Sequence, residues 1–417
     1  MSRSSTTLTE HFRKGGWLPA SQKVLEAWLK GMVEEVRPRK GTRSETVLLP
    51  AVQDFKDFIT NDGTMYMGFR QMFEGAKPPY VTDYETLVLL LNKIVQEAPA
   101  YGDIGPPVYM IINQAMNTQG GFTTFLSTKL NEHFKKMFDV WADFLSSPAS
   151  RHVLNDKPRG WLTPEAIKAM EEHFEPGLGF ADIFVCDPKA PHYGFTSWDH
   201  FFNRSFRPNI RTLEFPDNPN IINGACESKL YNVARDVNEF DQFWIKGEPY
   251  SLSHMLNHDS EYAEQFVGGT VFQGFLEVTG YHRWHSPATG TIKKIVEVPG
   301  TYFAQSPALL GEQDNPYLRS LAFITAITTR AIIFIESDNP LIGLMCFIAI
   351  GMTEISTCEV TVKAGQRINR GDQLGMFHFG GSSHVLLFRP ETRIQFFDGY
   401  SAEGDHVKVR AAIAGVE

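Results

Sequence analysis

The stretch Met376-Phe377-His378-Phe379-Gly380-Gly381-Ser382-Ser383-His384-Val385-Leu386-Leu387-Phe388 sets two glycines against two serines, with apolar residues on both sides. Read locally, it is a strand, a kink and another strand. Glycine reaches backbone geometries closed to other residues and lets groups approach closely. A serine after such a glycine can fold its Oγ back onto the preceding carbonyl when a base takes its proton. That is the chemistry of a chain that cuts itself. Gly-Gly-Ser-Ser is also an ordinary hairpin turn, since glycine and serine dominate turns for steric and hydrogen-bonding reasons. The stretch needs a base and an acidic orienter elsewhere before it means catalysis.

Candidates for both exist. Tyr281-His282-Arg283-Trp284-His285-Ser286-Pro287-Ala288-Thr289-Gly290 carries two histidines three apart. A His-x-x-His pair alone lacks the remaining ligands of a metal site, and a basic, aromatic surface loop reads the same way. In the functional reading, one histidine is the base for Ser382 and the other donates a proton to a substrate. Ala225-Cys226-Glu227-Ser228-Lys229-Leu230 opens a strand. Glu227 there is either an exposed carboxylate at a strand end or the acid that holds a histidine in the right tautomer.

These residues need elements to hold them, and the pattern is α+β. Residues 1–160 are expected to be mainly helical: Val24 to Leu29 opens an amphipathic run, and 84–94 and 122–145 continue it. Thr82-Asp83 and Thr118 are start signals. One more helix is expected over 164–174, and a short one inside 193–208, ending before Pro208. From Ile221 onward β character dominates. Short apolar runs at 230–233, 243–245, 269–272, 290–292, 332–335 and 344–350 are separated by glycines and prolines, as in a compact, largely antiparallel β domain. One helix interrupts at 250–256.

A chain of 417 residues suits roughly two or three domains. At 42% hydrophobic and 21% charged it reads as globular. A net charge of −9 argues against nucleic acid, whose phosphates need clustered Lys and Arg. Cys186, Cys226, Cys346 and Cys358 are scattered, which points to a reducing compartment rather than a disulfide framework or zinc site. The first residues lack a secretory apolar run. The apolar region 331–352 is broken by Glu336-Ser337-Asp338-Asn339-Pro340, so two strands are expected there rather than a membrane span. The expectation is a soluble cytoplasmic protein with no membrane insertion and no metal.

In order along the chain, these pieces resemble the phosphatidylserine decarboxylase family. They run from the acidic strand start to Tyr-His-Arg-x-His-x-Pro-x-x-Gly, then Val298-Pro299-Gly300-Thr301-Tyr302-Phe303, then Gly-Ser-Ser near the C-terminus. Asp199-His200-Phe201-Phe202-Asn203-Arg204 resembles the family's Asp-x-Phe-Phe-x-Arg segment. Residues 243–247 with 250–252 resemble another. The similarity covers 190–417. Residues 101–110, 133–136, 351–359 and 375–383 look like the fungal branch of decarboxylase-like enzymes, and extend the likeness over almost the whole chain.

The resemblance implies a helical N-terminal domain (1–160) and a mainly antiparallel β catalytic domain (161–417). It implies self-cleavage between Gly381 and Ser382 into chains 1–381 and 382–417 that stay associated, as monomer or homodimer. Ser382 becomes a pyruvoyl group, with His285 as base, Glu227 where most of the family has aspartate, and His282 assisting decarboxylation or proton transfer. The pyruvoyl group would supply the electron sink that pyridoxal phosphate supplies elsewhere, so no pyridoxal phosphate is expected. The fungal branch implies an aromatic amino acid, L-tryptophan, as substrate; phosphatidylserine is the alternative, and a non-catalytic binding module of the same fold a second. Phe303, Trp284 and Phe377 either line an apolar pocket for such a substrate or pack in the core.

Overall fold

The computed structural model of the chain describes residues 5–37, 46–76, 80–102, 104–241, 249–312, 315–354, 356–380 and 382–417. Its first half is helical: α1 (Ser5–Lys14), α2 (Gln22–Val36), α3 (Pro50–Asn61), α4 (Gly63–Ala76), α5 (Tyr84–Ile94), α6 (Pro107–Met116), α7 (Gln119–Phe125) and α8 (Thr128–Ser146). Three shorter helices follow, α9 (Pro164–Glu171), α10 (Phe180–Ile183) and α11 (Trp198–Phe202). Ser21, Asp83, Thr118, Ser127 and Thr163 each place a side-chain oxygen on the N–H three residues ahead. That satisfies a donor which the first helical turn leaves free. The single helix expected from 122 to 145 is two helices, because Ser127 caps a new one through the Leu130 N–H.

The second half is built from β1 (Ile221–Asn223), β2 (Ser228–Ala234), β3 (Thr270–Phe275), β4 (Arg283–His285), β5 (Gly290–Val298), β6 (Arg330–Ser337) and β7 (Leu344–Gly351). The strands continue with β8 (Thr357–Val360), β9 (Arg367–Ile368), β10 (Gln373–His378), β11 (Ser382–Phe388), β12 (Ile394–Phe396), β13 (His406–Val407) and β14 (Ala412–Val416). An eight-stranded sheet runs β13-β2-β3-β11-β7-β6-β5-β9, beside two three-stranded sheets, β4-β10-β8 and β1-β14-β12. Every ladder between these strands is antiparallel. The chain is therefore α+β, helices first and antiparallel sheets after, as the sequence pattern requires. The run at 243–245 lies outside the described residues.

The central strands of the large sheet are buried on both faces. Val385, Leu387, Ile348, Ile350, Ile332 and Phe334 join a core shared with the helices. Their neighbours Leu386, Phe388, Met345, Phe347, Ile333 and Ile335 fill a second core behind the sheet. Two-sided burial explains why β6 and β7 read as nearly continuous apolar runs rather than alternating ones. Residues 331–352 form two strands, and among the described residues no helix is long and apolar enough to cross a membrane.

β10 and β11 flank Gly-Gly-Ser-Ser but do not pair with each other. β10 lies between β4 and β8, and β11 lies between β3 and β7. The motif carries the chain from one sheet to another, so the hairpin reading does not hold.

Candidate active site

Ser382 opens β11, opposite Gly351 of β7, and is fully buried. Its carbonyl accepts from the Leu276 N–H at 2.9 Å, yet among the described residues its Oγ has no hydrogen-bond partner. Ser383 points to the other face, as strand alternation demands. Its Oγ donates to the Gly274 carbonyl at 2.9 Å and accepts from Gln273 Nε2 at 3.0 Å. One serine is thus consumed by structure and the other is held in reserve. Buried polar atoms are nearly always paired, and an orphan calls for an explanation. Upstream, Phe379 sits at a φ of 67°, an uncommon conformation for a bulky side chain. Gly381, expected at the cut, lies outside the described residues.

His282 precedes β4. Its carbonyl accepts from the Phe377 N–H at 2.9 Å. With the Leu276–Ser382 bond, this ties segment 276–282 to segment 377–382 at both ends, so one ring of backbone carries both His282 and Ser382. The imidazole is fully buried and stacks on Phe202, centroids 3.8 Å apart. Among the described residues neither ring nitrogen makes a well-formed hydrogen bond, although backbone groups of Phe202, Glu277 and Gly280 lie close enough to favour the protonated ring. Burial, and then the nearby Arg204 guanidinium, push its pKa down to about 3, so the ring is neutral near pH 7. A neutral imidazole can accept a proton at one nitrogen and deliver one at the other.

His285, also buried, is fully committed. Nδ1 lies 3.0 Å from the Gly371 carbonyl and Nε2 lies 3.0 Å from the Tyr281 hydroxyl. The Gly371 carbonyl can only accept and Arg410 Nη2 can only donate, so the two groups at Nδ1 call for opposite tautomers, while the Tyr281 hydroxyl can serve Nε2 in either. Arg410 Nη2 stands 3.1 Å from the same Nδ1 and its Nε donates to Gly371. Burial, then Arg410, bring the His285 pKa down to about 3.

The expected pairing of Glu227 with His285 is not formed. The Glu227 carboxylate takes Arg211 Nη2 at 2.5 Å, Arg211 Nε at 2.9 Å, His406 Nε2 at 2.7 Å and the Val409 N–H at 3.0 Å. Four donors occupy both oxygens while His285 faces Gly371 and Tyr281. Burial works upward on this carboxyl, but His406 and Arg211 outweigh it and hold its pKa near 2. The histidine that Glu227 orients is His406, whose Nδ1 has no partner among the described residues and whose ring stacks on His173 at 4.1 Å. His173 in turn meets Glu277 at 2.7 Å. A small cavity of about 20 Å³ joins Glu227, Ser228, His406 and Glu277 to Gly280 and Tyr281.

The three aromatic residues expected around a substrate do not form one pocket. Trp284 and Phe377 touch each other, centroids 5.1 Å apart, in the core behind the sheet. Phe303 sits in the helix-side core, 5.1 Å from Phe134. β4 and β10 aim Trp284 and Phe377 away from the helices, whereas the loop after β5 carries Phe303 into them. A separate cavity borders β6. It has a volume of about 630 Å³, lies where α8 meets the sheet, and is lined by Phe138, Tyr302, Thr329, Arg330, Ser356 and Cys358. Ser356 covers Gly351, where a Cβ would overlap it, and Thr329 accepts from the Gly351 N–H.

Arg204, His384, His406 and Glu354 were missed in the sequence. His384 shares a strand face with Ser382 and is fully buried, with neither nitrogen bonded among the described residues; burial lowers its pKa to about 3. Its place two residues after Ser382 was the available signal. Among the described residues, no group of three His, Cys, Asp or Glu is placed to hold a metal ion.

Known proteins resemble the chain over most of its length. A phosphatidylserine decarboxylase family model matches residues 198–415, and a second model of that description matches 49–170. An L-tryptophan decarboxylase of Psilocybe cubensis is 45% identical over 100% of this chain and 97% of its own length. One from Psilocybe cyanescens is 47% identical over 98% of this chain and 95% of its own. A decarboxylase of Amanita muscaria is 44% identical over 75% of this chain and 91% of its own.

Proposed function

Since the chain belongs to the phosphatidylserine decarboxylase family, we propose that it decarboxylates L-tryptophan to tryptamine and carbon dioxide after cutting itself between Gly381 and Ser382. The observation that carries the reading is the Ser382 hydroxyl, buried without a partner among the described residues beside a serine whose hydroxyl is bonded on both sides. In this reading Ser382 Oγ attacks the Gly381 carbonyl carbon and its proton passes to a base. The peptide C–N bond breaks, leaving an ester. Elimination frees the Gly381 carboxylate, and hydrolysis of the remaining residue releases ammonia and leaves a pyruvoyl group at the head of chain 382–417.

The surroundings fit such a group: a buried site with, among the described residues, no well-formed hydrogen bond on either His282 nitrogen and no competing donor on Ser382 Oγ. Once formed, the pyruvoyl group supplies an electron sink for the loss of carbon dioxide, and no pyridoxal phosphate is required. The neutral His282 ring exchanges the proton that replaces the lost carboxylate. His285 serves as base for the cut, once the Tyr281 hydroxyl leaves Nε2. Glu227 acts on His406 and Arg211 rather than in a triad with His285. The 630 Å³ cavity, with Phe138 and Tyr302 in its wall, admits the aromatic amino acid. We place the working protein in the cytoplasm, as monomer or homodimer, with a helical domain 1–160 and a catalytic domain 161–417.

The choice of tryptophan rests on the two Psilocybe relatives that match over nearly their full lengths. The family's own description favours phosphatidylserine as the second reading. Purified protein incubated with each compound, without added pyridoxal phosphate, decides between them. Tryptamine from tryptophan is expected; phosphatidylethanolamine alone would establish the second reading, and no product with an uncut chain would leave a binding module.

A further inference from the structure

Beside Ser382 the chain makes an unusual turn. β7 ends at Gly351, opposite Ser382, and Thr353 two residues on holds a φ of 55°. A β-branched residue in that region is strained and persists only when its surroundings over-determine it. Several contacts do so. The Thr353 N–H donates to the Tyr317 hydroxyl at 2.8 Å, and Ser356 Oγ donates to the Thr353 carbonyl at 3.0 Å. Glu354, nearly fully buried, takes the Val108 N–H on Oε1 and the Tyr109 N–H on Oε2, both at 2.9 Å. Those two amides belong to the first turn of α6, whose free N–H groups and dipole favour a carboxylate.

We propose that Glu354 is a positioning residue for the chemistry at Ser382. By gripping the first turn of α6 it fixes the strained turn that β7 holds against the reactive serine. The helical layer is then part of the catalytic apparatus, joined to it by one carboxylate reaching across 246 positions of sequence. This rests on the reading of Ser382 given above.

Both oxygens accept only while the carboxyl is ionised, since a protonated carboxyl turns one acceptor into a donor facing an N–H. Burial pushes the Glu354 pKa up to about 7 against the pull of the two amides. The titratable groups facing it are Tyr109 on α6 and Tyr317, both pushed upward by burial and neutral over the working range. The grip therefore loosens as pH falls through about 7.

The test compares wild type, Glu354→Gln and Tyr317→Phe in the full chain. Mass spectrometry follows the cut, thermal melts report folding, and kcat and KM for tryptophan are measured against pH. Glu354→Gln sets an amide NH2 against one backbone N–H. The expected result is a folded variant whose kcat falls tenfold or more with KM changed less, and whose activity no longer drops below pH 7 as the wild type's does. Tyr317→Phe releases the other end of the turn and should lower kcat in the same way. A folded Glu354→Gln with wild-type cutting, kcat and pH profile overturns the proposal. If that variant does not fold, Tyr317→Phe decides alone, and wild-type kcat there overturns it. A wild-type chain that is never cut refutes the reading of Ser382 instead, a result visible before any variant is made.

Discussion

The Glu227 carboxylate meets the His406 imidazole at 2.7 Å, Oε1 to Nε2, with the Arg211 guanidinium on the same carboxylate. Glu227 and the Arg211 side chain are buried, and His406 is partly exposed. Removing one member of a buried ion pair strands the other, at a cost of about 3–5 kcal/mol. Glu227→Ala should lower the unfolding free energy by about that much in urea titrations. His406→Ala should cost less, because Arg211 and the Val409 N–H still hold the carboxylate. Equal losses would mean that His406, rather than Arg211, anchors the site.

The two serines separate the chemistry from the fold. Ser382→Ala removes a hydroxyl with no partner among the described residues, so the chain should fold as well as wild type and remain uncut. Ser383→Ala removes two hydrogen bonds and should cost about 1–3 kcal/mol, yet still be cut. Denaturing electrophoresis and melts read both outcomes. Full decarboxylase activity in Ser382→Ala would refute the pyruvoyl mechanism outright.

The histidines should divide by step. His282→Ala should be cut but fail in turnover, and His285→Ala should remain uncut. Tyr281→Phe tests the role of His285 directly, because it removes the hydroxyl occupying Nε2 at 3.0 Å. Cutting in that variant should be at least as fast as in wild type. A rate ten times slower would show that the phenol relays the proton instead of masking the base.

Acid should unfold the uncut Ser382→Ala protein early. His282, His285 and His384 have pKa values lowered from 6.5 to about 3. Between those limits the unfolded state binds more protons than the native state, so stability rises with pH and falls as pH drops below about 6.5. Glu354 acts in the opposite sense. Its bonds to α6 need the ionised form, but because its pKa is raised from 4.5 to about 7 its net contribution to global stability is complete below 4.5 and is lost as pH rises through about 7. Three histidines outweigh one carboxyl, and the thermal midpoint should fall between pH 6.5 and 4.5. A midpoint that rises over this window would mean that the buried rings take up protons in the folded state.

What the sequence revealed was local. Ser382 stood out because its glycines precede it directly, and His282 and His285 because they share one short segment. Helix starts at Asp83 and Thr118 were legible because a cap and its N–H are three residues apart. The partner of Glu227 lies 179 positions away and that of Glu354 lies 246 away, and no periodicity marks either. Strand alternation puts Trp284 and His285 on opposite faces, but nothing local tells which face meets the helices. That is why Phe303 was grouped with Trp284 and Phe377 although a sheet separates them.

The small chain should outlive the cut as part of the same body. Its first strand, β11, is central in the large sheet, bonded to β3 and β7 along its length. β13 pairs with β2, and β14 with β1. Val385, Leu387, Leu386 and Phe388 are buried alternately in the two cores, so departure would expose both at once. Burying a side chain of this size is worth about 1.5–3 kcal/mol, and four of them are sealed by continuous ladders. Gel filtration of the cut protein in native buffer should give one peak containing both chains, resolved into two only by denaturant. Free residues 382–417 in native buffer would mean that scission at Ser382 dismantles the sheet it begins.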